Sequence, residues 1–428
     1  MYAICALPFI VAILLLILGA NEMSSNSIPA RSTATLNVVE GDLEVGRHAI
    51  VRGEGTPPSV KVSGTVYVEE HCLFECDLTA ENIDAEGDVT IKGDLQIRNR
   101  VSVDDGRLVV TGNMTADRID VDRSLQVDKD LKVRDVDVGG TMEVEGNTSA
   151  QKIDVGGTFR ARGEVESHRI DVGGSVRIES SVNVEDIDVG GSVKINGGKA
   201  SRVDVGGSFV SRNSLEFEEI NVGGTVKLEG KSKGGDIDVG GTLKVEGDIT
   251  FGSIDVGGIV SISGTAEGGD LEVGGKVRAD SLQLTGELSV GGVAEIDGEL
   301  TAENIEVGGR LYAGKAIAKS KVSVGGSIET ERGVQASYVS IGRRGKVRGT
   351  IKADQVRISK RASVEDVYAK TITLERDATA RNLYGEKIHL ESDCNIHGEV
   401  QYTEELQSER GVTFAKTPQK VNELPSDF

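Results

Sequence analysis

A chain of 428 residues would ordinarily divide into two or three globular domains, but 56 glycines, 6 prolines, no tryptophan and 4% aromatic residues suit an elongated, β-rich architecture better than compact cores. The formal charge of −21 excludes general binding to nucleic acid, which needs a basic surface to neutralise phosphates. Four cysteines are too few to staple so long a chain, so no disulfide framework is implied.

Taken from the N-terminus, Ala3 to Leu18 form an apolar run interrupted only by Pro8, long enough for a signal-peptide core and slightly short for a membrane span. No Lys or Arg precedes the run, Leu18-Gly19-Ala20 offers only a partial cleavage site, and the first basic residue after it is Arg31. A cleaved signal and a retained anchor both stay open, and the side of the membrane is unspecified. The expectation is membrane association through residues 3–18, or secretion if cleavage falls near Ala20. Residues 1–20 are thus read as anchor or signal, and the Ser/Thr-rich residues 21–35 as a flexible linker. His71, Cys72 and Cys76 could supply three metal ligands but no fourth, so no metal or other cofactor is assigned.

The body of the chain is one repeated unit. Gly-Gly pairs begin at Gly139, Gly156, Gly173, Gly190, Gly206, Gly223, Gly240, Gly257, Gly274, Gly291, Gly308 and Gly325, every interval being 17 except one of 16. Around each pair the residues alternate with the strand period of two, placing Ile237, Val239, Leu243 and Val245 on one side and Asp238, Thr242 and Lys244 on the other. The Gly-Gly pair marks a sharp corner, where a positive φ would explain the residue choice. Such units predict an all-β fold: a single long, three-sided parallel β-helix with about 17 residues per turn, identical residues stacking from turn to turn. An array of antiparallel hairpins would not need so constant a spacing.

The regular repeats cover 137–342 and weaker copies extend the solenoid to 36–415. Ile83-Asp84-Ala85 is one degenerate copy, and Val347, Val364, Ala380, Ile396 and Val412 continue the period. Residues 416–428, with Pro418 and Pro425, read as a disordered tail.

Two charged ladders follow from the stacking. Asp137, Asp154, Asp171, Asp188, Asp204, Asp238, Asp255, Glu272 and Glu306 occupy the second position of the repeat, interrupted by Asn221 and Ser289. Arg160, Arg177, Lys194, Lys227, Lys244 and Arg278 form an incomplete basic ladder four residues after the first glycine. Carboxylates one strand spacing apart repel by about 1 kcal/mol per pair in bulk water before salt screening. The acidic stripe of one rod meeting the basic stripe of another would relieve this and bundle the rods laterally. Divalent cations along the carboxylates are the competing explanation, and solvated faces copied during repeat expansion are the simplest one. From Arg343 to Lys387 the balance reverses locally, with twelve Lys or Arg against six Asp or Glu.

The stretch Gly342 to Phe414 carries the phrases Gly345-Lys-Val-Arg-Gly-Thr-Ile-Lys-Ala-Asp, Ala362-Ser-Val-Glu-Asp-Val-Tyr-Ala and Gly411-Val-Thr-Phe. It resembles the bactofilin, or polymer-forming cytoskeletal, domain. The resemblance implies a three-sided β-helix that polymerises end to end without nucleotide, commonly near a membrane, with itself as its main partner. Phe414 is then a candidate end-to-end contact. The chain departs from that pattern in its longer repeat region and its hydrophobic N-terminus.

Catalysis would require departures from repetition. His48, His71, His168, His389 and His397 are scattered, no nucleophile motif or loop insertion stands out, and no small-molecule substrate is indicated. The readings carried forward are a non-catalytic, membrane-associated scaffold and an exported surface stalk or adhesin, with a carbohydrate-active β-helix enzyme as a remote third. Asn113 and Asn147 lie in glycosylation sequons that the exported reading would use.

Overall fold

The computed structural model describes residues 26–425. The apolar run and the cleavage site near Ala20 lie outside the described residues. Within 26–425 there is no helix: the chain is a parallel β-solenoid of about 23 turns with roughly 17 residues each. At ~4.8 Å per turn the rod is on the order of 110 Å long.

Each coil has three sides. In the N-terminal part, Asn26–Ile28 pairs with Leu43–Val45, Thr33–Leu36 with Ile50–Gly53, and Val38–Val39 with Ser59–Val62, all parallel. In the regular region the third side of one coil runs into the first side of the next, giving eight-residue strands such as Leu131–Val138 and Val165–Val172, each followed by a four-residue second side such as Thr141–Val144. The sole antiparallel contact among the described residues is the isolated bridge Glu54–Ser59, so the hairpin alternative is set aside.

The period-two pattern does what it predicts. Ile237, Val239, Leu243 and Val245 are buried, while Asp238 and Lys244 point to solvent. Ile220, Ile237 and Ile254 stack in register, so β-branched side chains fill a narrow interior one layer per coil. Bulkier residues enter where the column allows: Phe159 stacks between Met142 and Val176, fully buried.

The Gly-Gly corners have a different cause from the one expected. None of the repeat pairs has a positive φ. Instead the corners stack so closely that a Cβ on Gly156 would lie 2.2 Å from the Gly139 carbonyl oxygen, and one on Gly157 2.5 Å from that of Gly140. Glycine is required because Gly156 N–H donates to Val138 and Gly157 N–H to Gly140, at 2.9 and 3.0 Å, leaving no room for a side chain between coils. Positive φ is used elsewhere: Arg344, Arg361, Asp377 and Asp393 succeed one another with φ of 59–62° at the corresponding corner of the C-terminal coils. There a longer, left-handed corner replaces Gly-Gly.

Register changes are absorbed at corners. The 16-residue step pairs Val182 with Gly198, and Gly197 and Gly198 adopt φ of 92° and 115° to shorten the turn without reversing the strands. One coil is longer: Leu43 pairs with Val66 because Glu54 to Pro58 protrude as a loop with a cis Thr56–Pro57 bond, an insertion that the repeat search passed over.

Both boundaries move outward. Residues 26–35, read as linker, already form strands, because Ile28, Ala34 and Leu36 alternate with their polar neighbours and face the core. In the tail, Gln419–Lys420 pairs with Gln401–Tyr402, and Val421 N–H donates to the Tyr402 carbonyl. The last core step also differs: Ile396 pairs with Phe414, not Val412, because one residue is added between the Ala380–Ile396 and Leu383–Val400 pairs and a second at the irregularity before Lys387 pairs with Glu405.

Candidate functional site

The ladders on the rod surface are the features with chemistry to examine. The acidic column is in strict register: Asp137 pairs with Asp154, Asp154 with Asp171, Asp171 with Asp188, and Asp188 with Asp204. It begins one coil earlier, at Asp120, which the search keyed on Gly-Gly missed because Asp122-Arg123 stands at that corner. The triplet Ile119-Asp120-Val121 was the available signal. Burial, and then the neighbouring Asp154 and Asp120 carboxylates, raise the Asp137 carboxyl above its ordinary value.

Much of this charge is answered within the chain by cations two residues earlier on the same face. Arg100 reaches Asp120 at 2.9 Å, Lys152 reaches Asp154 at 3.0 Å, and Arg169 bridges Asp171 and Asp188 at 3.1 and 3.3 Å. Lys321 pairs with Glu306 at 2.6 Å. Asp204, Asp238, Asp255 and Glu272 have no cation within ion-pair distance among the described residues, since the flanking positions are Arg202, which turns to Asp186 and Glu219, then Asp236, Ser253 and Asp270.

The basic ladder is largely occupied. Arg160 contacts Glu143 at 3.0 Å, Arg177 contacts Glu179 at 2.9 Å, and Arg278 contacts Glu295 at 2.6 Å. Lys227 and Lys244 share Glu246, whose carboxyl is held below its usual range by these two ammonium groups. Of the six, Lys194 alone has no carboxylate within reach among the described residues. This column therefore has little free positive charge to offer a neighbouring rod, and the residue that sequence reading overlooked is the glutamate two positions on, or one coil away.

A third ladder is structural. At another corner Asp77 Oδ1 accepts from Asp94 N–H, Asp94 Oδ1 from Asn113 N–H, Asp130 Oδ1 from Asn147 N–H, and Asn147 Oδ1 from Glu164 N–H, at 2.8–2.9 Å. Each side-chain oxygen caps the backbone of the next coil, which explains Asp or Asn at this position. Both sequon asparagines belong to this column, and the Asn113 amide also donates to Asp94.

The metal constellation does not assemble. Cys72 and Cys76 are buried, with burial pushing the Cys76 thiol up to about 11, whereas His71 sits exposed at a left-handed corner, stacked on His48 and 3.5 Å from Asp88. Among the described residues no three His, Cys, Asp or Glu side chains are grouped to hold a metal ion. One of several shallow troughs among the described residues, about 480 Å³ in volume, runs past Ala116, Val133 and Ala150. In it His168 pairs with Glu185 at 3.1 Å, while Ser167 Oγ donates to the Gln151 and Arg169 carbonyls and not to His168.

The C-terminal end is open on part of its edge. Phe414, half-buried, packs on the core beneath it with Tyr402, Leu406 and Val412, and Thr413–Phe414 pairs with Asn395–Ile396 but, among the described residues, with no later strand. Tyr384, stacked on Tyr368 with ring centroids 4.6 Å apart, is buried two coils below the end. Compared with known proteins, the chain matches no family model, no curated protein and no solved structure.

Proposed function

We propose that this chain is a non-catalytic structural protein whose rods join end to end into a polymer held at a membrane by residues 3–18. The observation that carries the reading is the state of the two ends. Among the described residues, the first coil, Asn26–Ile28 and Thr33–Leu36, and the last, Val400–Ser408 and Thr413–Phe414, are paired on one side, with only Gln419–Lys420 covering part of the C-terminal edge. Open parallel edges over an apolar interior are templates for a further coil, and a second copy supplies one of matching period. The resemblance of residues 342–414 to bactofilins supports the same assembly, and no catalytic residue or cofactor is assigned.

Negative-stain microscopy of the full chain in detergent, without nucleotide, tests the proposal. Filaments many times the length of one rod are expected, and Phe414→Asp is expected to shorten them. Isolated rods of single length would overturn it in favour of an exported stalk, for which the exposed Asn147 sequon is the supporting feature.

A further inference from the structure

Among the charges that ion pairing within the chain leaves unanswered, one acidic group and one basic group lie along a single edge of the rod. Asp204, Asp236, Asp238, Asp255, Asp270 and Glu272 are exposed and have no cation within ion-pair distance among the described residues. Asp238, Asp255 and Glu272 stand two residues before successive Gly-Gly corners. Further along the same edge the corner itself becomes basic: Arg343, Arg344 and Lys346 are exposed, Lys360 is half-buried, and none has a carboxylate partner among the described residues. The corners are continuous between them, since Gly342 N–H donates to Val324 and Arg344 N–H to the Lys360 carbonyl.

From the Gly257 corner to the Gly342 corner is five coils, or about 24 Å. Two rods laid side by side in parallel register would set carboxylates against carboxylates. Turning one rod end for end, with a two-fold axis midway between the patches, sets each acidic patch against the other rod's basic corner, twice. Between the patches the edge has little net charge: it presents Ser289, the half-buried Glu287, the neutralised Glu306–Lys321 pair, Ser323 and the exposed Arg310 beside the Gly308 corner.

We infer that two copies of this chain associate laterally as an antiparallel pair through these patches, Arg343, Arg344 and Lys360 of one facing Asp238, Asp255 and Glu272 of the other. The occupant is a second copy because the complementary surface stands on the same edge, where one two-fold axis forms both contacts at once, and the like net charge of two −21 chains disfavours contacts that lack such complementarity. This association is independent of end-to-end growth, which uses the coil ends.

The test is sedimentation velocity of the full chain in detergent, with micrographs of rod width, at about 50 mM and about 500 mM salt, where screening lengths differ roughly threefold. Double-width rods are expected at low salt and single-width rods at high salt. The triple reversal Arg343→Glu, Arg344→Glu, Lys360→Glu should abolish pairing at low salt, as should Asp238→Lys, Asp255→Lys, Glu272→Lys. Combining all six should restore it, because the complementarity is then exchanged, and circular dichroism checks that each variant keeps its β-sheet. Width that ignores salt, reversal variants that still pair, or a sixfold variant that does not would each overturn the inference. So would a basic corner whose reversal removes only adsorption to anionic lipid vesicles while rod width stays constant, since that result assigns the patch to a membrane surface.

Discussion

Alanine at Gly156 separates two explanations of the repeat's most conspicuous residue. The added Cβ would lie 2.2 Å from the Gly139 oxygen, against a carbon–oxygen contact of roughly 3.2 Å, so the corner must open by about 1 Å. Overpacking of this kind costs about 1–3 kcal/mol. The opening also weakens the Gly156-to-Val138 and Thr158-to-Gly140 hydrogen bonds, at about 0.5–1.5 kcal/mol each, for a total of about 2–6 kcal/mol. A solenoid is nearly one-dimensional, so the loss should stay near its coil and is best read by amide hydrogen exchange. Amides of residues 138–174 should exchange roughly 30- to 10⁴-fold faster, and those beyond residue 240 at the parent rate. Asparagine provides the control, because it tolerates a left-handed φ but not the contact. At Gly156, Asn should be at least as harmful as Ala; at Gly41, where φ is 83° and nothing lies within 4 Å of a Cβ, Asn should be milder than Ala. Parent-like protection in Gly156→Ala, or rescue by Asn there, would refute the steric account.

Thr148 sits in the core column between Leu131 and Val165 with its hydroxyl unpaired and 1% of the residue exposed, so Thr148→Val should stabilise by about 1 kcal/mol in urea unfolding. Asp130→Ala removes the acceptor of Asn147 N–H and should speed exchange of that amide about five- to tenfold, whereas Asp130→Asn should not. Because the Asp137 carboxyl is raised, its ionised form is disfavoured in the folded chain above the folded pKa and the penalty is relieved as pH falls through it. Asp137→Asn should therefore stabilise at neutral pH and lose that advantage in acid. Glu246, held low by Lys244 and Lys227, has the opposite sign: its contribution is present above the unfolded carboxylate pKa and lost as pH falls through the folded one, so Glu246→Gln should destabilise only towards neutral pH.

The fold was legible because a solenoid writes its geometry as a period. The spacing of Gly-Gly pairs gives residues per coil, the alternation around Ile237 and Leu243 gives the inward face, and stacking follows from both. What the period did not show were contacts between coils. Gly156 looks alike whether it serves a positive φ or a 2.2 Å approach, because both exclude a side chain. The basic ladder looked free because its partners vary in kind: Glu246 holds the unassigned position of the motif, two residues after Lys244, and Glu295 stands at the ladder position itself, one coil on from Arg278. The capping column of Asp94, Asn113 and Asp130 was hidden for a related reason, since Asp and Asn alternate there and only their shared oxygen matters. At the ends, composition misled: Ser and Thr near residue 30 suggested a linker, although Ile28, Ala34 and Leu36 kept the strand alternation.

Salt separates the two modes of assembly, because they rest on different forces. Growth at the coil ends adds backbone hydrogen bonds and covers Tyr402, Leu406 and Phe414, neither of which a Debye length governs. Antiparallel pairing rests on exposed ion pairs such as Arg344 against Asp255, each worth about 0–1 kcal/mol and screened as salt rises. Several such pairs acting together, formed twice by the two-fold, are needed to hold two rods of like net charge side by side. High salt should therefore yield filaments of single width and undiminished length, and low salt filaments of double width. Phe414→Asp should shorten the rods and leave the dependence of width on salt in place, giving short paired rods at low salt and single short rods at high salt. Filaments that shorten as salt rises would place the ends, too, under electrostatic control and contradict the apolar contact assigned to Phe414.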